Sequence, residues 1–431
     1  MGDRTSDNEF SSFEYARAQG IVQIRNHITT SRARGAEQKE GNSMIGRTFK
    51  HRVLLALAMG ATSLAPMSPA IAQGVAPSTP PKLVAGTENA PQDLTKLPPL
   101  PNYQPKKTAW GDPDLRGTWP TDALGGLPLQ RTVEQGNRVF LTDEEFQKRE
   151  VAMDRSRNAA EKETNSGKLG MGNWVEMTGA GRRTSLLIDP PNGRLPALTE
   201  EGKARNAAGR SSWVRDQTFD WVTDFDSWDR CISRGFPASM MPFRYNNGNR
   251  IFQAPGMVAF AFEMLGTRVI YTDGRPSPAS NVTSWLGESR GHWEGNTLVV
   301  KTTNIKVGAA PINMATIGAI PNNTIPMGEN AVVTERFTLA DPNTLVYEMT
   351  LTDSQIWTAP FTIRMDIPRN DKYEFYEYAC HEGNVQIRNY ISSSRVLRAQ
   401  KAAADAAAAA PKAAEVAQAP AKKPAEPAKK K

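Results

Sequence analysis

Arg290, His292 and Glu294 stand at alternate positions of Glu288-Ser-Arg-Gly-His-Trp-Glu-Gly-Asn296. Alternate residues of a strand share one face, so this spacing puts a guanidinium, an imidazole and a carboxylate on one wall. Turned toward a cavity, such a wall holds the groups that general acid–base chemistry uses. The plainer reading is a hairpin. Glu294-Gly295-Asn296 is its turn, Trp293 packs on a neighbouring strand, and His292 and Glu294 lie at the surface. A second pair, His381 and Glu382, directly follows Cys380. A Cys231–Cys380 bridge would fix that pair at a strand end beside the 229–237 loop. There it serves either a site or a hydrogen-bond network with Asp229 or Arg230. Arg290, His292, Glu294, His381 and Glu382 are therefore the candidate catalytic residues.

Glu263 alternates with apolar positions and shares a face with Met257, Ala259 and Ala261. A carboxylate in that setting is either at a strand end in water or inside a cavity with a raised pKa. Glu263, Asp273, Arg275 and Trp285 are the candidate ligand-binding residues. Between residues 73 and 397 the only histidines are His292 and His381, which excludes a three-histidine metal site. A site built from both with Glu294 or Glu382 would be sparse, so no metal is expected. There is no phosphate-binding loop, dinucleotide fingerprint or nucleophile elbow. Ser289 resembles a nucleophile motif, but no helix is expected after it. No cofactor is expected.

The elements that must position these groups are mainly strands. Val258, Phe260, Phe262 and Met264 alternate with smaller residues. So do Leu345, Tyr347, Met349 and Leu351, and then Phe361, Ile363, Met365 and Ile367. This is the period of strands with one buried face. Pro255-Gly256, Asp273-Gly274, Glu294-Gly295-Asn296 and Asp341-Pro342-Asn343 supply turns between them. About eight strands fit between residues 249 and 380. The expected fold is mainly β, an antiparallel meander closing into a barrel (or sandwich), preceded by a short helical and irregular segment. In that segment Thr142 and Glu145 form a capping box opening a charged helix, and Thr199 opens a shorter one.

The ends of the chain read separately. Arg47, Lys50 and Arg52 precede an apolar run, Leu54–Leu64, and a small-residue cleavage signal, Ala70-Ile71-Ala72. Residues 44–72 therefore read as a signal peptide, directing the protein to the periplasm or the medium. The run is too short to span a membrane. Glu14–Arg32 repeats Glu377–Arg395 at a constant offset of 363 residues, with twelve of nineteen positions identical. Residues 1–43 are read as the relic of a neighbouring paralogue's C-terminus after gene duplication. The alternative is an N-terminal strand and helix docked on the barrel. Residues 73–108 form a Pro-rich arm, 109–397 a single β-rich domain, and 398–431 a disordered Ala/Lys/Pro tail.

The chain's +7 charge belongs to these ends. Residues 1–72 carry +3 and residues 398–431 carry +5, which leaves −1 for the core. Nucleic acid is therefore not an expected partner. Cys231 and Cys380 most simply pair in an oxidising compartment, with a free catalytic thiol as the competing reading. Nothing in the sequence sets an oligomeric state.

Several motifs are specific enough to carry a resemblance. They are Thr184-Ser-Leu-Leu-Ile-Asp-Pro-Pro-Asn-Gly-Arg-Leu-Pro-Ala-Leu-Thr199, Asp229-Arg-Cys-Ile-Ser-Arg-Gly-Phe-Pro237, Tyr245-Asn-Asn-Gly248, Asp273-Gly-Arg-Pro276, Gly287–Val300 and Tyr378-Ala-Cys-His-Glu-Gly-Asn384. Over roughly residues 109–396 the chain resembles a large group of secreted or periplasmic β-rich proteins, multi-copy in acidobacteria and sphingomonads. The resemblance implies the fold and the export, and no reaction. The chain departs from that group where Gly266-Thr267 replaces a His-Asp pair and where Ser277 replaces a histidine.

Two functions follow as expectations. One is an envelope enzyme transforming a small organic molecule or short glycan by acid–base chemistry. The other is a non-catalytic barrel carrying an apolar or aromatic small-molecule ligand, lined by Trp285, Phe260 and Phe262.

Overall fold

The computed structural model describes residues 90–167, 171–176, 179, 181–210, 212, 217–308, 312–313 and 324–417. The expected relic and signal peptide lie outside them, as does the arm before residue 90.

The chain is mainly β. One ten-stranded sheet curls into a half-barrel, in the order β1-β3-β4-β5-β6-β7-β10-β11-β12-β2. Its strands are β1 (Gly117–Thr118), β2 (Leu187–Asp189), β3 (Asn249–Ala254), β4 (Met257–Phe262), β5 (Thr267–Tyr271), β6 (Glu288–Glu294), β7 (Thr297–Thr303), β10 (Val332–Asp341), β11 (Thr344–Thr352) and β12 (Phe361–Pro368). A separate pair joins β8 (Ile312–Asn313) to β9 (Thr324–Ile325). Eight of the ten main strands fall between Asn249 and Pro368, where the alternating pattern places them.

Closure into a full barrel does not occur. The two edges are the short strands β1 and β2, and irregular chain takes up their hydrogen bonds. Leu186 and Leu187 donate backbone N–H groups to Pro128 O and Leu129 O, at 2.8 and 3.1 Å. Thr118 O accepts from the Asn370 N–H at 2.9 Å, and Asp371 Oδ1 accepts from the Thr118 N–H at 3.0 Å. An edge covered in this way has no free ladder to offer its opposite edge. The meander is also not wholly antiparallel. Strands β5 and β6 run parallel, Ile270 beside Ser289, so residues 272–287 form a crossover rather than a hairpin turn.

One face of the sheet builds the core. Phe260 packs 5.1 Å from Phe337, and Phe337 packs 4.9 Å from Tyr347, centroid to centroid. Phe260 and Phe262 are core residues in this row. Both predicted helices form. Helix α1 (Asp143–Asn165) starts at the Thr142–Glu145 capping box, and α2 (Glu200–Ala208) starts at Thr199, whose hydroxyl accepts from the Gly202 N–H. A C-terminal helix, α3 (Gln386–Ala417), docks its Tyr390 5.6 Å from Phe219, and Ser394 Oγ accepts from the Phe219 N–H. It runs through Arg398, so the first part of the expected tail is helical; the tail beyond residue 417 lies outside the described residues.

Candidate functional site

Strand β6 places Ser289, Gly291 and Trp293 toward the core and Arg290, His292 and Glu294 on the opposite face. The three candidates thus share a face, and it looks to solvent. The His292 and Glu294 side chains are 65% and 49% exposed. His292 Nε2 lies 3.1 Å from Glu294 Oε1, and Arg336 donates to Glu294 Oε2 at 2.9 Å. The Arg336 hydrogen bond, seconded by His292, holds the Glu294 carboxyl below the usual range. Arg290 pairs with Glu288, donates to Pro276 O and lies 5.1 Å from the Tyr271 ring centre. Asp273 and Arg275 form an exposed ion pair on the crossover, with Arg275 3.9 Å from that same ring.

Cys231 and Cys380 are bonded to each other, so the free-thiol reading does not apply. His381 and Glu382 lie exposed in the turn that follows. Asn384, rather than either of them, reaches the 229–237 loop, donating to Asp229 O at 3.3 Å and to Cys231 Sγ at 3.0 Å.

Glu263 is buried just past β4, and four donors hold it. Asn246 Nδ2 and the Tyr376 N–H serve Oε1, each at 3.0 Å. The Gly248 N–H and the Tyr373 hydroxyl serve Oε2, at 2.9 and 2.7 Å. The Tyr245-Asn-Asn-Gly248 motif is thus the wall of a carboxylate cradle. A Cβ at Gly248 would meet Glu263 Oε2, Phe375 and Tyr373 at 2.8 Å, so only glycine fits. Tyr373 also lies 2.8 Å from Glu176, a half-buried residue on the lead-in segment.

A second buried network crosses the half-barrel. Arg268 forks onto both oxygens of Glu335 and donates to Ser289 Oγ at 3.0 Å and Thr302 Oγ1 at 2.7 Å. Tyr347 donates to Glu335 at 3.0 Å. A third group lies beside the disulfide. Burial, with the neighbouring charge of Asp229, pushes the Asp226 carboxyl up, and burial likewise raises Asp229. Each keeps one oxygen without a hydrogen-bond partner.

Sequence reasoning did not find Arg268, Glu335, Glu176 or Tyr373. Glu335 did carry a signal. It alternates with Val333, Phe337 and Leu339 on the buried face of β10, where an acid demands a partner. Glu176 and Tyr373 carried none, since their partners lie 197 and 110 residues away.

Of the candidates, Trp285 lines a cleft among the described residues. The cleft holds about 340 Å³, and its lining includes Ile232, Ser233, Arg268, Trp285 and Leu286. It opens at the end of the half-barrel where β5 begins, close to the disulfide-bonded loop. Arg230 and Lys306 lie over the indole, 5.7 and 5.1 Å from the ring centre. Gly266 and Thr267 also line it. Among the described residues, no three His, Cys, Asp or Glu side chains group as metal ligands. No described helix is long and apolar enough to cross a membrane. Comparison with protein-family models, curated proteins and solved structures finds no match.

Proposed function

We propose that this is an exported envelope protein that binds a small organic molecule or short glycan in the cleft beside Trp285, as a carrier rather than a catalyst. One observation carries the reading. Trp285 stands half-buried in a cleft with two cations over its ring, whereas His292, Glu294, His381 and Glu382 are exposed on two different elements. Small-ligand sites combine an aromatic wall with a few oriented polar groups. The cleft volume suits a ligand of one or two rings.

Export is supported by the ordered basic, apolar and small-residue layout of residues 44–72 and by the disulfide, which persists in oxidising compartments. The absence of the His-Asp pair at Gly266-Thr267 agrees with binding without turnover. Native mass spectrometry of the full chain tests the reading. A small molecule should co-purify with the protein and be missing from Trp285→Ala. A bound species unaffected by Trp285→Ala contradicts the reading.

A further inference from the structure

Resting on the cleft reading above, the geometry points to an organic anion as the ligand: a carboxylate carried on a flat ring. Arg230 and Lys306 both lie within cation–π distance of Trp285. Neither forms an ion pair or a side-chain hydrogen bond among the described residues. The neighbouring acids pair with neither of them. Glu288, at the start of β6, is held by Arg290. Glu335 is forked by Arg268, the third cation of the cleft, and cancels it. Asp226 and Asp229, the acids nearest Arg230 in the chain, form no ion pair with it: Asp229 accepts from Ser212 Oγ at 2.8 Å, and Asp226 is 5% exposed and accepts from the Asp229 N–H at 2.7 Å.

The cleft mouth therefore keeps two positive charges in a core whose net charge is −1. A carboxylate supplies the missing partner for both cations. The indole, Leu286 and Val269 supply an apolar wall for the ring that bears it. A uronic acid and an aromatic acid share this chemistry, and matched probes separate them.

The test is calorimetric titration of the full chain with D-galacturonate against D-galactose, and with benzoate against benzyl alcohol. In at least one pair the acid should bind about tenfold tighter than its neutral twin. That preference should fade as salt is raised from about 50 to about 500 mM. Arg230→Ala and Lys306→Ala should each weaken the acid about threefold or more while leaving the neutral twin unchanged, and Trp285→Ala should weaken both. Lys306→Gln, at an exposed position, keeps the test sound if Arg230→Ala fails to fold. If acid and neutral twin bind alike in Trp285-dependent fashion, the anion inference falls and the cleft reading stands. If none of the four probes binds, both fall.

Discussion

Tyr373 points its one hydroxyl proton at two carboxyls, with Glu176 Oε2 at 2.8 Å. The same hydroxyl lies 2.7 Å from Glu263. A phenol carries one proton, so the two carboxyls compete for it. The other three groups on Glu263 are all N–H donors. Glu176 also accepts, at Oε2, from the Asn247 N–H and Nδ2, at 3.3 and 3.4 Å. Burial pushes its pKa up, and the charge of Glu263 adds to this. A carboxyl with a raised folded-state pKa contributes its full share of stability below its unfolded value, and loses it as pH rises. Glu176→Gln should therefore favour stability more at pH 8 than at pH 5. Glu263→Gln should cost about 2–4 kcal/mol at both, because an amide nitrogen would face a donor. Urea denaturation at the two pH values decides this. An equal effect of Glu176→Gln at both contradicts the raised Glu176 pKa.

Asp226 gives a second pH signature of the same sign. Its raised carboxyl is favourable when protonated, so its share of stability is present at acid pH and lost through neutral to alkaline pH. Asp226→Asn keeps the oxygen that accepts the Asp229 N–H and removes the charge. The variant should gain about 1–3 kcal/mol at pH 8 relative to its effect at pH 5. A melting-temperature difference from wild type that does not change with pH would show that Asp226 is not protonated in the folded state.

The Arg268–Glu335 pair has side chains 2% and 0% exposed, and it should behave as a buried ion pair. Glu335→Leu strands a buried guanidinium and should cost about 3–5 kcal/mol. Arg268→Met with Glu335→Leu removes both charges and should recover much of that loss. A double variant as unstable as the worse single variant would argue that the surrounding hydroxyls, not the pairing, set the cost.

The sheet was legible because β4 buries alternate residues and the large apolar residues of β11 and β12 keep the same period of two. The edges were not legible. Leu186, Leu187 and Thr118 bond to irregular chain at Pro128, Leu129 and Asn370, and no periodicity marks such a contact. The crossover was missed for a related reason. Asp273-Gly274 has turn chemistry, with Gly274 at φ +77°, yet the chain continues past it to a parallel partner. For the site, alternation correctly put Arg290, His292 and Glu294 on one face. It could not say which face meets the core. Tertiary contacts decide that: Gly291 lies against Ile270 and Leu298, Ser289 bonds to Arg268 and Thr302, and Trp293 packs on the core.

His292→Ala and His381→Ala should leave melting temperature within about half a degree and ligand binding unchanged, because both side chains are exposed and lie outside the cleft lining. Circular dichroism melts and the same calorimetric titrations check this. Loss of binding in either stable variant would return the histidines to the site and restore the acid–base reading.

The central claim is that ligand meets Trp285. The chain has nine tryptophans, and Trp285→Phe assigns the Trp285 indole N–H resonance by its disappearance. Titrating galacturonate or benzoate into the full chain should move that resonance in a saturable way, with smaller changes at the other tryptophans. If binding occurs while the Trp285 resonance stays fixed and a different indole moves, the cleft is not the site.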